Sequence, residues 1–406
     1  MRVLICHNFY QQAGGEDQVF AAEAALLRRF GHDVETYSVH NDDIETAGKL
    51  KLAAATVWNR GAAGEIGRRA RRHRAEVVHF HNTFPLLSPA VYSAARRAGA
   101  AVVQTLHNYR LICPGATLFR DGKPCEKCVG RTPLAAVVHG CYRGSRSATA
   151  VTTVMLAVHR SIGTYANQVD AYIALTQFAR EKFLAAGFDP EQIHVKPNFL
   201  DPDPGPGPGD GGFALFVGRL TEEKGIRPLL EAWEHVGKAI RLKICGDGPL
   251  AAEVRRAAAA QGTASARESS IEWLGRRPLE EVIDLMGRAA VLVFPSLWYE
   301  GFPRTIVESL ARGTPVAASR LGSMVELVQP GRTGALFNAG DAQDMAKTVL
   351  ELCGDPPRLG EMRRSAREEF VGRYDAGRNH RMMLEIYQQA IARRQQLEQG
   401  EVVPAT

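Results

Sequence analysis

The chain has 406 residues, more than one hydrophobic core normally serves, so two domains are expected. Its composition, 45% hydrophobic and 23% charged, excludes collagen-like and disordered chains. The net charge of +6 permits contact with nucleic acid, anionic membranes or phosphorylated substrates and selects none of them. No apolar run is long enough to cross a bilayer, and the apolar start Met1–Cys6 is too short for a secretory signal. We therefore expect a cytoplasmic protein.

Short apolar runs alternate with helix-like segments in the first half of the chain. Strands are predicted over Arg2–Cys6, Val34–Val39, Val77–Phe80, Val102–Leu106 and Tyr172–Leu175. Such alternation is typical of a mostly parallel sheet with helices on both faces. The pattern predicts a first doubly wound α/β domain over residues 1–197.

A segment rich in Pro and Gly, residues 198–212, interrupts this alternation and is predicted to be a semi-rigid linker. Further strands are predicted over Phe213–Val217, Arg241–Cys245, Val291–Phe294, Val316–Ala318 and Ala335–Phe337. They predict a second doubly wound domain over 213–370. A helix is expected over 371–395, with packing against the first domain as one open arrangement, and a frayed tail over 396–406. Two such domains should leave a cleft, with ligands at the carboxyl ends of the strands.

Two cations follow the first strand of the second domain. Gly218 ends the strand and allows backbone to approach a ligand, and Arg219 and Lys224 follow it. The next helix is expected near Pro228, so both cations lie beside a helix N-terminus. Such a site is suited to a diphosphate. The alternative is a solvated loop with ordinary surface charges.

Two glutamates surround the start of a helix that is expected at Pro303. Glu300 lies in the loop after the strand Val291–Phe294, and Glu308 lies within an apolar stretch of the helix. A carboxylate in so apolar a helix is expected to have a partner, and a sugar diol offers two hydroxyl donors. The alternative is that Glu308 faces solvent.

Polar groups also follow strands of the first domain. Gly14 and Gly15 open the first helix, where backbone amides can approach a phosphate, although a Gly-Gly pair is often only a tight turn. His107 ends the strand Val102–Leu106 and could contact a sugar, transfer a proton, or simply cap the strand. Other polar residues end a neighbouring strand and could line an acceptor site: His79, His81 and Asn82.

These elements together resemble the family-4 glycosyltransferases of GT-B fold, which have two Rossmann-like domains facing across a cleft. The resemblance covers nearly the whole chain. Its most specific elements are Gly218-Arg219 with Lys224-Gly225, and Glu300 followed eight residues later by Glu308. Weaker landmarks are Gly246-Asp247-Gly248-Pro249, Gly322 to Glu326, and Thr105 to Asn108 around His107.

The resemblance implies roles for individual residues. Arg219 and Lys224 would bind the donor diphosphate and stabilise it as it leaves, and Glu308 would hold the ribose hydroxyls. The implied contacts of the transferred sugar and the remaining donor atoms are with Glu300, Gly301, Phe302, His107, Gly14, Gly15, Gly218 and Gly246, with a weaker assignment for Glu326.

The implied reaction is hexosyl transfer with retention of configuration. A UDP- or GDP-linked sugar would be the donor, and a glycan or lipid-linked glycan of polysaccharide assembly would supply the acceptor hydroxyl. The leaving phosphate would accept the acceptor's proton, so no protein base is obligatory. No cofactor is expected for catalysis, because Arg219 and Lys224 supply the charge that a metal would otherwise supply.

Cysteines concentrate in a predicted insertion over residues 109–145, a feature shared with a bacterial polysaccharide-assembly subgroup. Its members are Cys113, Cys125, Cys128 and Cys141. Four thiolates around one Cys-x2-Cys pair predict a structural tetrahedral zinc site. The alternative is a set of reduced cysteines packed in a loop.

Five arginines crowd one predicted helix: Arg68, Arg69, Arg71, Arg72 and Arg74. One interpretation is a solvated helix face. The other is peripheral attachment to anionic lipid on the inner face of the membrane.

Two rival functions remain open. A sugar-nucleotide epimerase could use the same fold, and product analysis would distinguish it. A basic, zinc-containing nucleic-acid-binding protein is the non-enzymatic alternative, but few aromatic residues accompany the basic runs, so no nucleic-acid partner is expected.

Overall fold

The computed structural model of the chain describes residues 1–11, 14–44, 48–260 and 270–399. The chain divides into two compact units. Unit 1 comprises Met1–Leu118, Glu126–Asn198 and Ala376–Thr406, and unit 2 comprises Phe119–Cys125 and Phe199–Asp375.

Strands and helices alternate along nearly all of the described chain. The strands are β1 (Arg2–Phe9), β2 (Asp33–His40), β3 (Val77–Phe80), β4 (Ala101–Leu106), β5 (Phe119–Arg120), β6 (Lys123–Pro124), β7 (Ala171–Ala174), β8 (Ile193–Val195), β9 (Phe213–Val217), β10 (Arg241–Cys245), β11 (Ile271–Gly275), β12 (Val291–Phe294), β13 (Val316–Ser319) and β14 (Gly334–Phe337). The helices are α1 (Gly15–Arg29), α2 (Lys49–Val57), α3 (Arg60–His73), α4 (Ala90–Arg97), α5 (Leu134–His139), α6 (Arg146–Ser161), α7 (Thr164–Asn167), α8 (Gln177–Ala185), α9 (Ile226–Val236), α10 (Ala251–Ala260), α11 (Leu279–Arg288), α12 (Arg304–Ala311), α13 (Met324–Leu327), α14 (Ala342–Cys353), α15 (Pro356–Arg373) and α16 (Ala376–Gln399).

Unit 1 contains a six-stranded sheet in the order β2-β1-β3-β4-β7-β8. All its neighbouring strands pair in parallel. Every residue of β3, β4 and β7 is buried, which explains why the sequences of these strands are mostly apolar. The strand order reverses between β1 and β3, so a ligand crevice is expected at the carboxyl ends of these two strands.

Unit 2 contains a second parallel six-stranded sheet in the order β11-β10-β9-β12-β13-β14. Helices α9, α10 and α14 pack on one face through side chains such as Trp233 and Val349, and α11, α12 and α15 pack on the other through Met286, Leu310 and Phe370. The order of strands reverses between β9 and β12. The loops that follow these two strands therefore lie at the expected ligand position.

The segment predicted as a linker, residues 198–212, is bound along unit 2 for most of its length. The backbone amides of Gly207, Gly209 and Gly211 each donate to a carbonyl of unit 2 at 2.9 Å. Arg312 donates to the carbonyls of Pro204 and Gly205 at 2.8 and 2.9 Å. The alternating Pro residues lack amide donors, but the Gly residues between them supply enough hydrogen bonds to fix an extended segment, which a free linker would not have.

The C-terminal helix α16 belongs to unit 1, whereas α15 before it belongs to unit 2, which ends at Asp375. Arg394 of α16 donates to the carbonyl of Ala100 at 3.1 Å, and Arg393 pairs with Asp189 at 3.1 Å. The helix continues to Gln399, so the first residues of the frayed tail predicted over 396–406 are helical. The rest of that predicted tail lies outside the described residues. Among the described residues, no helix is both long and apolar enough to span a bilayer.

Candidate functional site

The loops after β9 and β12 are held in direct contact. The amide of Leu297 donates to the carbonyl of Glu223 at 2.8 Å. Gly225 has a φ of +73°, and a Cβ there would lie 1.9 Å from the carbonyl oxygen of Pro295. Only glycine permits both this backbone conformation and this approach. The glycine before α9 therefore brings the two loops together.

An ion pair joins these two loops. The Nζ of Lys224 lies 2.6 Å from Oε1 of Glu300, and the same oxygen accepts a hydrogen bond from Ser296 at 2.6 Å. The Ser323 hydroxyl donates to the backbone carbonyl of Glu300 at 2.8 Å. Glu300 is 6% exposed, and the Lys224 ammonium lies 5.5 Å from the centre of the Trp298 ring. The sequence predicted both charged residues of this site but not their pairing.

Arg219 differs from Lys224 in being fully available. It is exposed, and within the described ranges its guanidinium forms no ion pair. Gly218 beside it is contacted closely by Gly246, where a Cβ would lie 1.9 Å from the Gly218 carbonyl oxygen. The two glycines thus pack β9 and β10 together at their ends, and Arg219 is left free to meet an anion.

Glu308 lies inside the core-facing side of α12 and is 7% exposed, so the solvent-facing alternative is wrong. Burial raises its pKa, which the Arg304 guanidinium 3.5 Å away opposes. Gly301 and Phe302, between Glu300 and this helix, are half-buried. With Arg304 as its one recorded ion-pair partner in the described chain, the Glu308 carboxylate has capacity to accept further hydrogen bonds.

In unit 1, Gly14 caps the start of α1 and its amide donates to Asp17 at 2.7 Å. The other oxygen of Asp17 lies 2.7 Å from Nε2 of His7 on β1. Gly15 is exposed. Next to it, Oε1 of Glu16 is buried without a hydrogen-bond partner among the described residues, and Oε2 lies 3.4 Å from Nδ2 of Asn108. The Gly-Gly start of α1 therefore carries two acidic side chains.

His107 follows β4 and is half-buried, with its Nε2 2.9 Å from Nδ1 of His81. His81 and Asn82 follow β3, and His79 lies within that strand, so these histidines cluster as predicted from adjacent strand ends. Burial holds the pKa of His79 and of His107 well below the ordinary range, so both rings are neutral at neutral pH. Gly14, Gly15 and His107 lie in unit 1, and the other predicted donor residues lie in unit 2.

The sequence analysis missed two residues of this cluster, of which one could have been predicted. Glu23 and Lys196 are both fully buried, with Lys196 Nζ 2.8 Å from Oε1 of Glu23. Glu23 lies on the apolar face of α1 with Val19, Phe20 and Leu27, which is the same signal that identified Glu308. Lys196 carries no such signal, because it lies outside any periodic element.

No disulfide joins the four cysteines of the insertion as the structure describes them; Cys113 and Cys128 are buried, and Cys125 and Cys141 are partly exposed. Among the described residues, no three of their sulfurs lie within 4.8 Å of one another. Zinc thiolates at about 2.3 Å from the metal would bring their sulfurs closer than this. As placed, the cysteines do not form a zinc ligand set.

The five arginines of the basic helix do not act as one face. Glu65 pairs with Arg68 and Arg69, and Glu35 pairs with Arg69 and Arg72 at 2.8 Å. Arg71 instead lines a cavity of about 320 Å³ together with Trp58, Arg60, Ala63, Gly64, Gly67, Ala94 and Arg97. We name this cavity the arginine pocket.

Comparisons with known proteins identify the family to which these two sheets and their loops belong. Residues 13–204 match the family model described as Glycosyltransferase Family 4, and residues 212–355 match the model described as Glycosyl transferases group 1. The chain belongs to the family-4 glycosyltransferases. The resemblance inferred from the donor elements of the sequence is thereby confirmed.

Individual family members are similar at moderate identity. An alpha-maltose-1-phosphate synthase of Mycolicibacterium smegmatis is 30% identical over 257 residues, 56% of this chain and 65% of that relative. A 2-deoxystreptamine glucosyltransferase of Streptomyces kanamyceticus is 28% identical over 316 residues, 75% of this chain and 76% of the relative. The solved structure of Anabaena Alr3699/HepE in complex with UDP is 18% identical with a TM-score of 0.67, covering 95% of this chain and 99% of that chain. The last match confirms the GT-B class of fold.

The protonation of Glu16 gives a pH-dependent prediction. Burial, reinforced by Asp17, raises its pKa from 4.5 to about 8. The folded protein therefore keeps a proton that the unfolded chain releases, and this stability is present below pH 4.5 and is lost as pH rises through about 8. Glu16→Gln should keep the uncharged state at every pH.

Thermal melting of the two proteins across this range provides the measurement. The Tm of the wild type should fall relative to that of Glu16→Gln as pH increases, whereas the two should differ by a constant amount below the unfolded pKa. Parallel Tm curves throughout would mean that the Glu16 carboxyl titrates normally.

Proposed function

We propose that this protein transfers a hexosyl group from a nucleoside diphosphate sugar to a hydroxyl acceptor with retention of configuration. The observation that carries the proposal is the Lys224–Glu300 pair at the reversal point of the unit 2 sheet, with Arg219 in the same loop as Lys224 after β9. Two cations suit a diphosphate, and carboxylates suit sugar hydroxyls. The UDP complex of the HepE structure supports UDP as the nucleotide.

The proposed reaction breaks the bond between the anomeric carbon and the β-phosphate oxygen and forms a bond from that carbon to the acceptor oxygen. The acceptor's proton passes to the departing phosphate oxygen, so the products are the glycoside and the nucleoside diphosphate. Negative charge on the diphosphate grows during this step. Arg219 and Lys224 would stabilise the transition state more than the ground state, which accelerates transfer.

The carboxylates would divide the donor between them. Glu308, buried and only weakly paired with Arg304, would accept from the two ribose hydroxyls. Glu300 has one oxygen committed to Lys224 and Ser296 and would use the other for a hydroxyl of the transferred sugar. Family membership favours transfer over the epimerase alternative, and identification of the reaction products distinguishes the two.

Removal of Arg219 tests the donor site. We expect Arg219→Ala to lower kcat by about 100-fold or more, because it removes charge stabilisation that is strongest in the transition state. The control is Arg364→Ala, which changes another exposed arginine, on α15. Transfer from a panel of UDP- and GDP-sugars is measured at saturating donor. Equal turnover in both variants would contradict the assignment.

A structural zinc ion in the insertion remains a proposal of sequence spacing alone. Binding would require the segments that carry Cys113, Cys125, Cys128 and Cys141 to bring their sulfurs closer together than they lie here. The ion would have four protein ligands and no open position, so it would shape the loops beside His107 without taking part in transfer.

Elemental analysis decides whether zinc binds. Protein purified without chelators or metal-affinity resin should contain about one zinc per chain, and Cys125→Ser with Cys128→Ser should contain none. Cys245→Ser, which changes a cysteine of the unit 2 sheet, is the control. Metal-free wild-type protein with full activity would exclude the site.

We further propose that the arginine pocket contacts phosphate groups of anionic lipid, which would place a cytoplasmic enzyme at the inner face of the membrane. Arg60, Arg71 and Arg97 come from α3 and α4 and form no ion pairs within the described chain. Trp58 lies at the edge of the pocket and is 40% exposed, as interfacial aromatic residues often are. This set replaces the five arginines predicted from the sequence, three of which are paired with Glu35 and Glu65.

Vesicle sedimentation tests this contact. Changing Arg60, Arg71 and Arg97 to Gln should weaken binding to phosphatidylglycerol vesicles by about tenfold or more. The matched control changes Arg68, Arg69 and Arg72, which are already paired with carboxylates, and should bind nearly as the wild type does. Equal losses in both variants would indicate only general charge attraction, and the pocket would be discarded.

A further inference from the structure

A buried network of charged and polar groups lies behind His107 in unit 1. Its centre is Glu23 of α1, which is 0% exposed. Oε1 of Glu23 accepts from the Lys196 ammonium at 2.8 Å, and the same ammonium donates to Asn379 of α16 at 3.0 Å. Although burial raises it, Lys196 and the neighbouring histidines hold the pKa of Glu23 well below its usual range. Glu23 is therefore a buried carboxylate.

The second oxygen of Glu23 has one natural partner. Oε2 lies 3.4 Å from Nε2 of His81 and 3.7 Å from Nδ1 of His79. Both nitrogens of His79 are already used, by Tyr387 at 2.8 Å and by Thr105 at 2.7 Å. Oε2 of Glu23 and Nε2 of His81 are both buried without a hydrogen-bond partner in the described part of the chain, although they lie only 3.4 Å apart. Oε2 of Glu23 and Nε2 of His81 are therefore the hydrogen-bond partners available to each other.

A metal ion is a poor alternative occupant. One ligand atom from each of Glu23, His79 and His81 lies within 4.8 Å of the others, as in a metal site. The Lys196 ammonium, however, lies 2.8 Å from the Glu23 carboxylate and would repel a cation. One hydrogen bond of His79, to Tyr387 or to Thr105, would also be lost, because the ion would take one ring nitrogen. Hydrogen bonds among these side chains therefore fit the network better than a bound metal ion does.

The positions of those protons follow from the chemistry of the groups. A carboxylate oxygen only accepts, so Nε2 of His81 must carry a proton. Lys196 already balances the charge of Glu23, so a second proton on the buried His81 would add an uncompensated charge; with one proton, His81 keeps a lone pair on Nδ1 and accepts from Nε2 of His107, 2.9 Å away. The neutral His107 ring carries one proton, on Nε2, and donates it in this hydrogen bond. Its Nδ1 is left unprotonated and can only accept a hydrogen bond.

We propose that Glu23 and His81 are positioning residues which fix the tautomer of His107, so that its Nδ1 accepts a hydrogen bond from a sugar hydroxyl during transfer. This rests on the proposed function, in which a hydroxyl meets His107. The buried Lys196 contributes to this arrangement, because it keeps Glu23 in the charged form, which can only accept hydrogen bonds. In the opposite tautomer, His107 would present N–H and compete with the hydroxyl as a second donor.

Glu23→Gln gives a sharp test, because the geometry dictates the direction of the change. The amide oxygen must face Lys196, since an amide NH2 cannot accept from an ammonium. The NH2 group then faces Nε2 of His81 and donates to it. The proton of His81 moves to Nδ1, His81 donates to Nε2 of His107, and the proton of His107 moves to Nδ1. The variant inverts the tautomers of both rings.

Nuclear magnetic resonance of the full chain with ¹⁵N-labelled histidine measures this directly, since the two ring nitrogens give different signals when protonated. The wild type should show His107 protonated on Nε2, and Glu23→Gln should show it protonated on Nδ1. His81→Phe should leave His107 with a mixture of tautomers. Tyr387→Phe removes a hydrogen bond to His79 in the same buried cluster. It leaves the hydrogen bonds that link Glu23, His81 and His107 unchanged, so His107 should keep its wild-type tautomer.

Kinetics provide the functional readout. Glu23→Gln should lower kcat about tenfold, as expected for one misdirected hydrogen bond, with the KM for the donor unchanged. Tyr387→Phe should retain wild-type turnover. Wild-type His107 protonated on Nδ1, or no inversion in folded Glu23→Gln, would overturn the inference. Failure of the wild type to transfer any sugar would overturn the proposed function instead, and the tautomer result would stand separately.

Discussion

The site in unit 2 depends on one ion pair. Lys224 and Glu300, 2.6 Å apart, come from loops on the two sides of the point where the strand order reverses. A carboxylate that is 6% exposed would be costly without a cation, and a free lysine would have no fixed position. Lys224 neutralises the buried Glu300 carboxylate, and Glu300 fixes the position of the Lys224 ammonium. Gly225 makes the pair possible, because a side chain there would push the two loops apart.

Unit 1 applies the same constraint at its own reversal point. Glu23 and Lys196 form a fully buried pair, and Asp17 is held by His7 and by the amide of Gly14. Breaking such a pair on one side leaves an unpaired buried charge, which is strongly destabilising. Both units therefore place fixed charges and defined hydrogen-bond acceptors at the carboxyl ends of their parallel strands.

Much of this could be predicted because buried parallel strands have an unambiguous pattern. The predicted bounds of β3, β9, β10 and β12 are those observed. Strands β8 and β11 were missed, since β8 has three residues and the sequence Ile-Glu-Trp-Leu-Gly of β11 is neither continuous nor alternating. Residues 198–212 were predicted as a linker because hydrogen bonds from glycine amides to unit 2 leave no trace in composition.

The predicted site residues depended on local rules, and what was missed depended on contacts distant in sequence. Glu308 was found because a carboxylate stood in an apolar helix, whereas the link from Glu23 through His81 to His107 joins three separate elements.

A double-mutant cycle on Lys224→Met and Glu300→Gln, with UDP binding measured by calorimetry, tests the central ion pair most directly. Lys224→Met should weaken binding sharply, because the unpaired Glu300 repels the diphosphate, and adding Glu300→Gln should recover part of the affinity. Strictly additive effects would contradict the account.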